Sequence, residues 1–248
     1  MVALIRFSDL AQSLNLVGTG KRNHIAVVGG GGKTSILHAL GEQLLGTTIL
    51  TCTTKMGSDQ HQNRQVLLSP KDDRITRISA ENPVMVWREI QGEKAIGVDK
   101  AACDRWFRLV DNIVVEADGA RRRPFKAPAE FEPVVADSTT LMISTIGADA
   151  LGKVISDQCH RPLLVAALAR CESHERLTPM RAAEVILHGQ GQRKEIPPRS
   201  RFCVAITKVD DANMADVEAL MEQLHIIEDN LVVVPVAFDA SLNEEIQS

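Results

Sequence analysis

The chain has 248 residues, 44% of them hydrophobic, and a formal net charge of −4. That length supplies enough apolar material for a sizeable core, and the mild acidity leaves no global field to draw nucleic acid. With no Tyr and only 3% aromatic residues, a base-stacking platform for single strands is excluded as well.

Five cysteines, an odd number with no CxxC among them, read as reduced thiols. Residues Met1 to Gly18 lack the basic start and apolar run of a signal peptide. No apolar stretch approaches the ~18 residues that a membrane span needs. The expectation is a cytoplasmic protein with neither a membrane nor a nucleic-acid partner.

In chain order, short β-branched runs alternate with longer segments of helical period, the pattern of a parallel sheet covered on both faces. His24–Val28 reads as the first strand, Thr34–Leu45 as a helix ended by Gly46, and Thr48–Cys52 as the second strand. Val84–Trp87 follows as a strand toward one edge, and Asp99 is placed to cap a helix over Lys100–Leu109. Asn112–Val115 is a central strand and Thr140–Ser144 another. Helices are predicted over Pro162–Ala169 and Thr178–Leu187, with Thr178 as N-cap and Pro179 at the first helical position. Phe202–Ile206 is a strand, Ala212–Leu224 a helix, and Leu231–Val234 the last strand. The predicted architecture is α/β, a P-loop NTPase-like three-layer fold with a mainly parallel sheet, in a single domain over 1–248.

Gly119–Asp137 stands apart: three prolines, four basic residues and three acids, with neither period. A connection that long inside a compact domain is usually functional or disordered. Gly189–Ser200 is a second polar loop.

The strongest motif is an apolar strand running straight into Gly29-Gly30-Gly31-Gly32-Lys33-Thr34-Ser35 and then a helix. Glycines let the backbone approach an anion, and the amides then point at phosphates at the positive end of the helix dipole. Lys33 is placed to contact the outer phosphates of a nucleoside triphosphate, and the Thr34 hydroxyl to ligate Mg²⁺. The usual spacing would need a glycine at position 27, where Val27 stands, so the loop is two residues shorter. A similar compressed loop occurs in the Mur ligases. The alternative is a glycine-rich turn with an incidental lysine.

A phosphate loop needs an acid at the end of a neighbouring strand. Glu116 is expected in the metal shell with Thr34, and Asp118 to position a water or a second substrate. Thr54, in the Thr51–Lys55 run, is placed to complete the Mg²⁺ shell or orient the attacking water. Thr207-Lys208-Val209-Asp210 after a strand has the form in which many GTPases read guanine; its alternative is a strand end followed by a helix cap. Arg121, Arg122, Arg123 and Lys126 form an anion-binding cluster, for the nucleotide or a second ligand, or else a solvated basic loop. Cys159, His160, Cys171 and His174 match no common zinc spacing and read as packing and surface.

With these residues in hand, the chain resembles the YqeC family of selenium-dependent hydroxylase accessory proteins. The likeness is carried by Val28–Ser35, Thr51–Lys55, Gly147–Lys153, Cys159–Pro162, Thr207–Asp210 and above all Glu116–Pro133. Phe131 departs from the pattern, since the family usually has His there. The resemblance implies an NTP-dependent accessory role in maturing selenium-dependent molybdenum hydroxylases, with the hydroxylase or its cofactor as partner. On the residues alone, the reading is a Mg²⁺-dependent GTP- or ATP-binding protein that hydrolyses its nucleotide. A small-molecule phosphotransferase or Mur-ligase-like enzyme, and a non-catalytic nucleotide sensor or scaffold, stand beside it.

Overall fold

The computed structural model describes residues 3–237. Its strands, in chain order, are β1 (Asn23–Gly29), β2 (Thr48–Cys52), β3 (Lys55–Gly57), β4 (Val66–Leu68), β5 (Val84–Trp87), β6 (Glu89–Gln91), β7 (Lys94–Ile96), β8 (Asn112–Glu116), β9 (Phe125–Lys126), β10 (Leu141–Gly147), β11 (Cys159–His160), β12 (Arg201–Val209) and β13 (Val232–Ala237). The helices are α1 (Leu10–Ser13), α2 (Lys33–Gln43), α3 (Asp72–Ile75), α4 (Lys100–Trp106), α5 (Ile155–Gln158), α6 (Pro162–Leu168), α7 (Pro179–Leu187) and α8 (Met214–Ile227).

Eight strands form one sheet in the order β13-β12-β10-β1-β8-β2-β5-β4, and every neighbouring pair is parallel. Side-chain alternation sorts the core into two faces. Ile25 and Val27 of β1 pack with Ile36, Leu37 and Leu40 of α2. Ala26 and Val28 face the other way, onto Cys103 and Trp106 of α4. On β12, Cys203 and Ala205 join the α2 side, while Val204 and Ile206 pack against α7 and α8. Helices therefore cover both faces, which is why β1 and β8 read as unbroken apolar runs rather than as alternating ones. The expected three-layer α/β fold is present.

The predicted elements fall close to their places, with instructive exceptions. Thr178 caps α7 as expected, its hydroxyl accepting from the Arg181 amide at 3.3 Å. Asp99 occupies the N-cap of α4 but makes no side-chain cap bond. Val84–Trp87 lies one strand in from the edge, because the short β4 pairs outside it. That strand, with three residues, is too short to announce itself by period. Residues 119–137 are not a solvated excursion: Pro124 to Pro128 are buried, and β9 within them pairs in parallel with β11. A separate antiparallel sheet, β3-β7-β6, stands beyond the end of β2. Among the described residues no helix is long and apolar enough to cross a membrane.

Candidate nucleotide site

Parallel strands bring their carboxyl ends to one edge, where open α/β sheets bind ligands. Gly29 pairs with Thr145, Val27 and Cys52 both pair with Glu116, and Gly147 pairs with Thr207. The glycine loop, the acid and the two threonine-bearing strands are thus collected at one edge by register alone.

Only three residues, 30–32, separate β1 from α2. Gly31 has φ +75°, and a Cβ there would lie 2.3 Å from the Gly147 amide nitrogen. Gly30 is likewise barred from a side chain, since its Cβ would stand 2.7 Å from the Arg123 carbonyl oxygen. The turn is therefore closed and tight, held between β10 and the segment that follows β8.

The amides divide into two groups. Gly29 donates to Asp118 Oδ2 at 3.1 Å, Gly30 to the Thr145 carbonyl at 3.0 Å, and Gly31 to the Arg123 carbonyl at 3.2 Å. These three are already satisfied, which corrects the expectation that amides from residue 29 onward grip phosphate. Gly32 to Ser35, at the N-terminus of the eleven-residue α2, are the amides left without intrahelical acceptors. The first half of the compressed loop serves the fold.

Lys33 is buried and donates to the Gly29 carbonyl at 2.8 Å; its Nζ lies 3.4 Å from Asp118 and 3.7 Å from Glu116. Burial by itself would lower the Lys33 pKa, but the two carboxylates outweigh it and hold the ammonium protonated. The Glu116 pKa is raised too: burial first, then the neighbouring Asp118, push it up against the pull of Lys33. An ammonium has three donors. Only the Gly29 contact is at ordinary hydrogen-bond distance, and Lys33 also lines an open cavity of about 840 Å³, so its ion pairs do not close the site.

Thr34 Oγ1 donates to Glu116 Oε2 at 3.0 Å, so the two residues expected to share a metal are already side by side. Both line the cavity, as do Ser35, Thr54 and the basic residues 121–123. The Thr54 hydroxyl is buried without a hydrogen-bond partner among the described residues. No group of three or more His, Cys, Asp and Glu able to hold a metal occurs among the described residues. A divalent ion here would therefore draw on Thr34, Glu116 and its substrate's own oxygens.

Five sequence-predicted residues are placed differently. Asp118 does not line the cavity; it sits behind Lys33, which faces its Oδ1, while its Oδ2 meets Lys126 Nζ at 3.0 Å and the Gly29 amide. Lys126 is fully buried and bridges Asp118, Glu132 (2.6 Å) and the Gly119 carbonyl (2.7 Å), so it is no anion-binding group. Thr207 and Lys208 lie inside β12, which runs to Val209. Thr207 donates to the Gly31 carbonyl at 2.7 Å, and Lys208 pairs with Asp149 at 2.8 Å at the cavity wall. Asp210 is exposed and outside the cavity lining, where its Oδ1 accepts from the amides of Ala212 and Asn213. Asp210 thus braces the turn ahead of α8, whose N-cap is Asn213, and lies away from the cavity where a base would have to be read.

Several site residues escaped sequence reasoning. Glu132 and Arg161 form a bidentate pair at 2.7 and 3.1 Å, extending a chain of alternating charges Lys33–Asp118–Lys126–Glu132–Arg161. Glu132 is buried, which alone would raise its pKa, but Arg161 and Lys126 overcome that burial and hold it at about 2. Gln192, from the second polar loop, is buried; it donates to the Lys126 carbonyl at 2.8 Å and accepts from Ser144. Lys55, Arg88 and Lys94 close the far wall from the small sheet and its approach. Their only sequence signal was position after a strand. In all, nine lysines and arginines line the cavity against three carboxylates, in a chain whose net charge is −4.

The model of the YqeC protein family matches residues 25–163, more than half of the chain and all of the phosphate loop and the Glu116–Pro133 segment. The chain belongs to the YqeC family. It is also similar to "Uncharacterized protein YqeC" of Escherichia coli (strain K12), with 31% identity over 186 residues, covering 71% of this chain and 72% of that protein. No solved structure matches the chain.

Proposed function

We propose that this YqeC family member binds a nucleoside triphosphate with Mg²⁺ and cleaves its terminal phosphoryl group. The observation that carries the reading is the Lys33–Thr34–Glu116 cluster at the foot of a basic cavity, at the carboxyl edge of a parallel sheet. The amides of Gly32 to Ser35 and the Lys33 ammonium bind the phosphates and are preorganised toward charge that builds during transfer. Thr34 and Glu116 would hold Mg²⁺, which supplies charge neutralisation on the phosphate oxygens. Thr54, whose buried hydroxyl has no partner among the described residues, orients an attacking water. Asp118 acts at one remove, positioning Lys33 and the Gly29 end of the loop. Nothing in the cavity lining selects guanine over adenine through Asp210, so ATP and GTP stand equal.

The accessory role in maturing selenium-dependent molybdenum hydroxylases rests on the family resemblance and is the biological setting we propose for this chemistry. Fluorescent ATP and GTP titrations with Mg²⁺ test the core of the reading, with Lys33→Ala as control. Binding in the micromolar range that falls at least tenfold in Lys33→Ala is expected. Absence of a nucleotide-dependent signal in the parent protein would falsify it.

A further inference from the structure

Beside the main cavity lies a second recess of about 480 Å³, lined by Arg121, Arg123, Ser156, Cys159, His160, Arg161 and Pro162. Arg121, Arg123, His160 and Arg161 line both spaces, so the recess opens from the cavity that also holds Lys33. Three guanidinium groups border it and no carboxylate does.

The partners of those guanidiniums matter. Arg161 directs one N–H of each terminal nitrogen to Glu132, and Arg123 donates to the Asp157 carbonyl, leaving further donors on both. Arg121 makes no ion pair or hydrogen bond with any described residue. Neither ring nitrogen of His160 has a hydrogen-bond partner among the described residues. Burial first, then Arg161, Lys126 and Arg121, against the opposing pull of Glu132, lower its pKa to about 4, so the ring is neutral at pH 7. Arg121 and Arg161 are also held in left-handed backbone, with φ +48° and +59°, conformations that cost a non-glycine residue free energy and cluster at functional sites.

Guanidinium groups suit tetrahedral oxyanions, because their paired donors match phosphate oxygens. We propose that this recess binds the phosphate-monoester group of a second small-molecule ligand, whose remainder extends into the main cavity toward Lys33. That this ligand is a second one rests on the triphosphate reading of the Lys33 end; the anion site itself does not. A cavity of about 840 Å³ continuous with the recess is at the upper end of small-molecule sites, which leaves space for both ligands.

Phenyl phosphate is the probe, titrated at constant ionic strength into the full-length protein and followed by the His160 ring signals in NMR. The ring signals are expected to shift and the His160 pKa to rise from about 4 as the anion binds. Arg121→Gln, which breaks no internal contact, should weaken that binding at least tenfold. Lys33→Ala should leave it within about twofold while removing nucleotide binding. If phenyl phosphate perturbs only the Gly32–Ser35 amides, or binds Arg121→Gln as tightly as the parent, the recess is not its site. Equal binding of phenylacetate would overturn the assignment to phosphate. A His160 response without any nucleotide binding would leave the recess standing and remove the triphosphate reading alone.

Discussion

Replacing Lys126 with Met separates a buried structural ion from a solvated anion binder. Lys126 is 0% exposed, and its ammonium sits 3.0 Å from Asp118 and 2.6 Å from Glu132. Methionine fills nearly the same volume, so the loss is chiefly of charge. Glu132 keeps its bidentate Arg161 and Asp118 keeps Lys33, but the middle of the chain is left with two carboxylates and no cation between them. Removing one partner of a buried pair costs about 3–5 kcal/mol. In urea that lowers the unfolding midpoint by roughly 1–2 M, taking a slope of about 3 kcal/mol/M as suits a chain of this size. Trp87 and Trp106 fluorescence reports the transition, and Arg122→Met is the control. Arg122, exposed and without an ion pair among the described residues, should change stability by no more than about 0.5 kcal/mol. Adding Glu132→Gln to Lys126→Met should recover part of the loss, since the two positions are in contact. Equal stability of Lys126→Met and Arg122→Met would refute the buried-chain account.

Three further outcomes are expected. Gly31→Ala sets a Cβ 2.3 Å from the Gly147 nitrogen at φ +75°, so it should destabilise the fold by roughly 2–4 kcal/mol and abolish nucleotide binding; an unchanged melting temperature would contradict the closed turn. His24 is buried, and desolvation, opposed in part by Asp104, lowers its pKa to about 4 from 6.5. The unfolded chain therefore takes up the proton first as pH falls, so stability present above pH 6.5 is lost between pH 6.5 and 4. The loss is about 3 kcal/mol for this residue. Urea unfolding at pH 7 and pH 4.5 should show a smaller fall in His24→Gln than in the parent. Asp210→Ala removes acceptors for the Ala212 and Asn213 amides and should cost about 1 kcal/mol. The ratio of ATP to GTP affinity should stay the same in that variant, and a tenfold change would restore Asp210 as a base reader.

Much of the site was legible because its residues are local to one strand-loop-helix unit. A β-branched run, four glycines and Gly-Lys-Thr have few folded realisations, and Glu116 at a strand end is recognisable by the same logic. The three satisfied amides, at Gly29, Gly30 and Gly31, were not legible, since their acceptors come from Asp118, Thr145 and Arg123, far along the chain. Thr207–Asp210 misleads for a related reason: four letters name side chains, while the register of β12 turns Thr207 onto Gly31 and sends Asp210 to solvent.

By itself, the sequence determined the layered α/β fold, because hydrophobic period and strand-loop-helix punctuation are local properties of the chain. It likewise pointed to the phosphate site we propose, since a glycine turn opening a helix leaves first-turn amides without intrahelical acceptors. Only tertiary structure decided which cations are free to meet a ligand. Arg121, Arg122, Arg123 and Lys126 are alike in type and neighbours in sequence, yet Lys126 is sealed between two carboxylates while Arg121 faces the recess. Charge is written in the residues, but its compensation depends on distances of a few ångströms between segments that the chain brings together only on folding.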